Sequence, residues 1–350
     1  MHDTRAKMNL SYALQLICMA ATLFGPGLAR AASPELIEAA RREGRVNWYT
    51  TMLIEQFARP VAAAFERKYG VKVEVHRGDV AALPVRIANE GKSGRMQSDV
   101  FDGTNTVPAL KRLGFVEQWI PETSTRLPAE FRDPDGFWAG THFYVLTPGI
   151  NTELVTPGSE PKTFEDLLNP RWKGKMVWSA SPVTPAGPGF IGLVLTLMGE
   201  ENGMNYLRQL ARQDVTGIHT GVRQVFNKVI AGEFSIGLQM INNHAIVSRA
   251  QGAPAGWIPM QPASAVLSGI SVTKGAPHPN AGKLLTDFIV SREGQEFIRD
   301  AEYMPVDSDV PLKHPEIRPD GNKFRAIYFK PEEVDAGMPR WQQVYNELFK

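Results

Sequence analysis

Two threonines close the stretch Val46-Asn47-Trp48-Tyr49-Thr50-Thr51, and Arg77-Gly78-Asp79 and Gly103-Thr104-Asn105 follow. The second half carries Ser179, Ser181, His219-Thr220-Gly221, Arg223 and Asn243-His244. These residues offer hydroxyls, amides, imidazoles, guanidiniums and close backbone approach at glycine. With the N–H groups of helix starts, they suit an oxyanion such as a carboxylate, phosphate or phosphonate. The competing reading is structural. Each Thr or Gly would then only cap a helix, Arg223 would be a solvated first-turn charge, and His244 would bond a carbonyl. His76 and His142 read as structural.

Other chemistries lack their residues. Neither G-x-S-x-G nor H-E-x-x-H occurs. The single cysteine, Cys18, lies in the first 31 residues, so the remainder has no thiolate for catalysis, metal binding or a disulfide. Scattered Asp and Glu residues leave a carboxylate pair open, and with it a secreted hydrolase. The run Gly187-Pro188-Gly189-Phe190-Ile191-Gly192 satisfies G-x-G-x-x-G, but the preceding strand ends near Trp178, too early for a dinucleotide turn. Lys plus Arg (38) nearly balances Asp plus Glu (37), which argues against a nucleic-acid partner held by overall charge. No metal and no cofactor is expected.

The elements that must position these groups are legible in outline. Residues 1–31 read as a cleaved secretory signal: Arg5 and Lys7, an apolar run from Leu10 to Phe24, then Ala29-Arg30-Ala31 as the small-x-small site. That run is short for a bilayer span, which needs about 20 residues, so a periplasmic location is expected. Ser33-Pro34-Glu35 starts a helix that ends near Gly44. Strand, helix (60–69), strand (71–75), helix (82–89) and strand (99–101) follow. Further on come a strand at 175–178, a helix from about Gly189 past Leu197, a helix at 223–231 and a strand at 236–240. Strands alternating with helices predict an α/β fold with mainly parallel sheets. Ligands of such sheets sit beyond the carboxyl ends of the strands, where the polar stretches named above fall.

The ordered segments EGRVNWYTTM, FERKYGVKVEV, SDVFDGTN, FEDLLNPRWKGKMVWS, AGEFSIGLQMINN and GAPHPNAGKLLTDFIVSREGQEFI cover most of the chain beyond residue 31. With them the sequence resembles the periplasmic solute-binding proteins of bacterial ABC importers, family 1 type, in the branch related to ferric-ion-binding proteins. The resemblance implies a type II-like two-lobe periplasmic-binding-protein fold, a crossover hinge and a ligand held between the lobes. Residues 32–143 and 271–306 would form lobe 1 and residues 144–270 lobe 2, with crossings near 140–147 and 268–273. Residues 307–350 would form a C-terminal segment packing on lobe 2. The implied partners are a small-molecule solute and an inner-membrane ABC permease, the protein itself being a monomer and not an enzyme. Ferric-binding relatives hold iron with an adjacent tyrosine pair, and the matching positions here are His244 and Ala245. Thr104 stands where they carry an acid, and Leu53 and Ile54 stand where a histidine is sought. Hard ferric ion prefers phenolate and carboxylate oxygen, so a ferric or iron-chelate ligand is the alternative to an anionic solute.

Overall fold

A computed structural model describes residues 32–181, 187–319 and 324–350; the expected signal at 1–31 lies outside them. The chain opens on the helix Pro34–Glu43, capped by Ser33 and ended by Gly44 at φ 74. Only a residue tolerant of the left-handed region turns the chain there at no cost. The strand β1 (Arg45–Thr50) follows, then β2 (Lys72–Arg77) and β3 (Val100–Asp102). β1 pairs in parallel with both β2 and β3. The intervening helices Arg59–Tyr69 and Ala82–Lys92 bury Val61, Phe65, Leu83 and Ile87 against this sheet. The alternation read from the sequence is therefore present, with a short π-helical turn, Ile54–Ala58, ahead of the second helix.

The long strand β4 (Ala139–Asn151) has Phe143 and Val145 in one core and Leu146 and Ile150 in another, and is followed by β5 (Met176–Ser179), β6 (Thr216–Ile218) and β7 (Ile236–Ile241). After β8 (Ala255–Trp257) comes β9 (Ala263–Val272), then the short strands β10 (Met304–Pro305) and β11 (Ala326–Phe329). Across the molecule the strand order is β2-β1-β3-β9-β4-β7-β5-β6. β5 pairs in parallel with β6 and β7. β4 and β9 run antiparallel to each other, from Ala139 opposite Ile270 to Leu146 opposite Ser264. β3 joins one end of this ribbon and β7 the other, so two strands carry the chain between lobes.

Each lobe has its own core. Trp48, Phe57, Phe65, Phe101 and Phe288 belong to one cluster, and Trp178, Phe190, Leu207, Leu238 and Trp341 to another. A third cluster, including Val225 and Phe226, fills the opposite face of the second sheet. The C-terminal stretch is divided: Ile317 and Phe324 join the first core, whereas Phe329, Val334, Trp341 and Tyr345 join the second. The helix Pro331–Leu348 lies on the helical stretch Gly187–Ala211, which is broken at Gly199 (φ 76), and a Cβ at Gly192 would come within 2.3 Å of the Trp341 ring. The glycine at the end of the G-x-G-x-x-G run thus serves helix packing. Among the described residues no helix is long and apolar enough to cross a membrane.

Candidate functional site

A cavity of about 630 Å³ opens between the lobes, within the range of about 300–1,000 Å³ usual for small-molecule sites. Tyr144 of β4 and Ser268 of β9 line it where the two strands cross. Thr51, Thr104 and Asn105 line the first-lobe wall, and Gly221, Arg223, Asn243 and His244 the second. All seven were singled out from the sequence. They converge because β1, β3, β6 and β7 each end at this level and hand over to a loop or a helix start.

The other sequence candidates stand back from the cavity. Thr50 is fully buried; its hydroxyl bonds Asp102 and accepts from the Met52 N–H at 3.0 Å. Arg77 is exposed and donates through Nε to the Met52 carbonyl at 3.2 Å. Gly103 adopts φ 131, and a Cβ there would lie 2.8 Å from Thr106 Oγ1, so glycine is required by the turn. Ser179 is buried and donates to the Thr220 carbonyl at 2.5 Å, with the Ser181 N–H 3.5 Å from Ser179 Oγ. His219 is exposed and Thr220 half-buried. Ser179 and Thr220 therefore tie the β5 and β6 loops together beneath the helix start at Gly221.

The second-lobe wall presents two helix N-termini. Gly221 and Val222 to Gln224 begin the helix Val222–Ile230, while Ile241 and Asn242 to His244 begin the helix Asn242–Ala250. Neither start has a side-chain cap. Some starts elsewhere are served by side chains: Ser33 and Ser291 cap two helices, Glu43 accepts from the Asn280 and Ala281 N–H groups in the first turn of a third, and Asp79 accepts from the Ala81 N–H just ahead of a fourth. Glu333 accepts from the Lys330 N–H at the start of a fifth. Arg59–Tyr69 and Thr106–Arg112 also start without a side-chain cap. Unsatisfied first-turn amides carry partial positive charge toward the cavity. Arg223 adds a full charge: Nη1 donates to the His244 carbonyl at 3.3 Å, and no carboxylate pairs with it among the described residues. Burial, and secondarily the Arg223 charge, pull the His244 pKa down to about 4, so the imidazole is neutral at pH 7. Its Nδ1 is buried without a partner among the described residues.

The first-lobe wall is built on Asp102, which reading by residue type passed over. This carboxylate is 1% exposed. It accepts from Trp48 Nε1 at 2.8 Å, from the Thr51 N–H at 3.1 Å and from the Thr51 hydroxyl at 3.4 Å. Burial pushes its pKa up to about 6 against the lowering effect of these bonds. Tyr144 and Tyr303 also line the cavity with ring centroids 6.1 Å apart, and both phenols are raised by burial. Tyr144 had a sequence signal, because it lies within the expected crossing at 140–147. Tyr303 had none: it follows Glu302, whose φ of 63 aims the turn back at the cleft.

The profile of bacterial extracellular solute-binding proteins matches residues 97–329. The chain belongs to that family. This binding protein is thus of the ABC-importer type, taking a small molecule for a membrane permease. The Iron uptake protein A1 of Synechocystis sp. is 26% identical to it over 71% of this chain and 72% of its own. A putative 2-aminoethylphosphonate-binding periplasmic protein of Salmonella typhimurium is 24% identical over 81% and 82%. Among solved structures, the periplasmic binding protein AfuA from Actinobacillus pleuropneumoniae, with exogenous fructose-6-phosphate bound, superposes with a TM-score of 0.70. It is 22% identical and the match covers 87% of this chain and 98% of that one. The two-lobe fold of the binding protein is that of these periplasmic proteins.

Proposed function

We propose that the protein captures a small organic oxyanion, a phosphate ester, phosphonate or carboxylate, in the interlobe cavity and delivers it to an inner-membrane permease. One observation carries this reading. The two helix starts that face the second-lobe side of the cavity lack side-chain caps and flank an Arg223 that has no carboxylate partner among the described residues. An anion arriving between the lobes supplies the missing acceptor. The relatives named for a phosphonate and the structure holding a sugar phosphate support the same class. Closure of the lobes about β4 and β9 then encloses the ligand, in a monomer exported by its signal at 1–31.

Ferric ion is the second reading, because Tyr144 and Tyr303 meet at the cavity and one relative is named for iron uptake. The donor set favours the anion. Burial holds both phenols protonated, and no group of three His, Cys, Asp or Glu residues suited to a metal occurs among the described residues.

Titration calorimetry of the exported protein against phosphate esters, phosphonates, carboxylates and ferric citrate tests the proposal. An oxyanion binding in the micromolar range or tighter, with a smaller scattering radius on saturation, is the expected result. Ferric citrate producing a visible tyrosinate band while no anion binds would decide for iron, and turnover of the bound compound would decide for a hydrolase.

A further inference from the structure

The first-lobe wall selects a second group on the solute, an inference that rests on the oxyanion reading above. Thr51 lines the cavity, yet both of its donors point away from it: N–H and O–H go to the same Asp102 oxygen, at 3.1 and 3.4 Å. An ionised carboxylate only accepts. Asp102 is enclosed, and its other oxygen holds the Trp48 indole N–H at 2.8 Å. Even raised to about 6, its pKa leaves it ionised at pH 7. The Thr51 hydroxyl is therefore held as a donor inward, and its lone pairs are what remain for the cavity. The charge on this wall agrees. Glu302 lines it, with its carboxylate 2.7 Å from Lys313 Nζ, and among the described residues no Lys or Arg of the first lobe lines the cavity.

We propose that the solute is bifunctional: its oxyanion lies against Arg223 and the second-lobe helix starts, and a hydroxyl or ammonium group donates to Thr51 Oγ1. Asp102 is the positioning residue that makes Thr51 an acceptor. The consequence is discrimination. A site that accepts from a ligand donor rejects the analogue lacking it, because the acceptor is left unpaired when buried.

Three probes built on one ethyl phosphate frame test this: ethyl phosphate itself, 2-hydroxyethyl phosphate and 2-aminoethyl phosphate, titrated into the exported protein at pH 7.5. The wild type should prefer at least one donor-bearing ester over ethyl phosphate by about tenfold or more. The larger preference identifies hydroxyl or ammonium. Thr51→Val should bring that ratio within about threefold, and Thr51→Ser should restore it. Asp102→Asn, whose amide can donate toward Thr51 and free its O–H to turn outward, should shrink the ratio too. A wild-type ratio near one, or a ratio unchanged in Thr51→Val, overturns the proposal. A ratio unchanged in Asp102→Asn removes Asp102 from the role. Binding of none of the three, with no binding of other phosphate esters, phosphonates or carboxylates either, defeats the oxyanion reading itself, whereas equal binding of all three defeats only this inference.

Discussion

The two walls of the cleft are built from the same kinds of groups, hydroxyls and backbone N–H, yet offer opposite chemistry. On the second-lobe wall, the first turns of Val222–Ile230 and Asn242–Ala250 have no capping side chain and sit beside Arg223. On the first-lobe wall, the Thr51 N–H and O–H are both taken by Asp102. The difference teaches that a donor's availability is decided by what stands behind it. One buried carboxylate turns a threonine from a donor into an acceptor, and one missing cap turns a helix start into an anion receptor.

The strongest way to break the contrast is to give the open wall the carboxylate it lacks. Gly221 has extended backbone, φ −65 and ψ 154, and only the movable Gln224 side chain crowds its Cβ position. Gly221→Asp should cap the helix and repel the solute. Affinity should drop by at least about a hundredfold, since like charges brought together cost several kcal/mol. Stability should rise by a few tenths of a kcal/mol. Calorimetry and urea unfolding read the two opposite shifts, and parallel losses in both would count against the cap argument.

Arg223→Ala comes next. Losing one hydrogen bond to a charged partner, about 1.5–3 kcal/mol, should weaken an oxyanion roughly 10- to 100-fold. The melting temperature should change little, because among the described residues Arg223 has only the His244 carbonyl to lose. An unchanged dissociation constant would place the anion elsewhere. Away from the cleft the effects should exchange. Ser291→Ala removes a cap bonded to the Gly294 N–H and should cost about 1 kcal/mol of stability, with affinity unaltered in the same titration.

The smallest effect expected is that of pH. His244 is held at about 4 in the folded protein, below its ordinary 6.5. The unfolded chain therefore binds the proton more readily, and this residue's contribution to stability is complete above about 6.5 and lost as pH falls toward 4. In Asp102→Asn, which removes the other group titrating in this range, at about 6, affinity for a sulfonate, whose charge does not titrate, should stay within about threefold from pH 8 to 5.5, because His244 remains neutral throughout. A rise in affinity centred near 6.5 would show an imidazolium in the site.

Much of the architecture was legible because its signals are local. Ser33-Pro34 and Gly44 bracket the first helix as read, and the alternating valines of β2 and the apolar faces of its flanking helices announce the parallel sheet. β8 and β11, three and four residues long, were not foreseen, since such short strands exist only by pairing with β4 and β9. At the cavity, Arg223, Asn243 and His244 were expected because polar residues cluster where strands end, and His244 also by its match to a ligand position of the ferric-binding relatives. Asp102 and Tyr303 were not, because an aspartate and a loop tyrosine carry no such mark, and Tyr144 was marked only by lying in the expected crossing at 140–147.

The sequence by itself determined the α/β class, the order of elements and the level of the fold at which polar loops gather. Hydrophobic periodicity and turn chemistry act over a few residues and do not need the rest of the chain. Only the tertiary structure decided which of those loop groups face the cavity and with which atom. Thr50 and Thr51 are neighbours of one type, but the pleat buries the first and turns the second to the cleft. Asp102, 51 residues beyond Thr51, then sets the direction in which that hydroxyl points. Hydrogen-bond direction depends on the acceptor nearest in space, and spacing along the chain does not encode it.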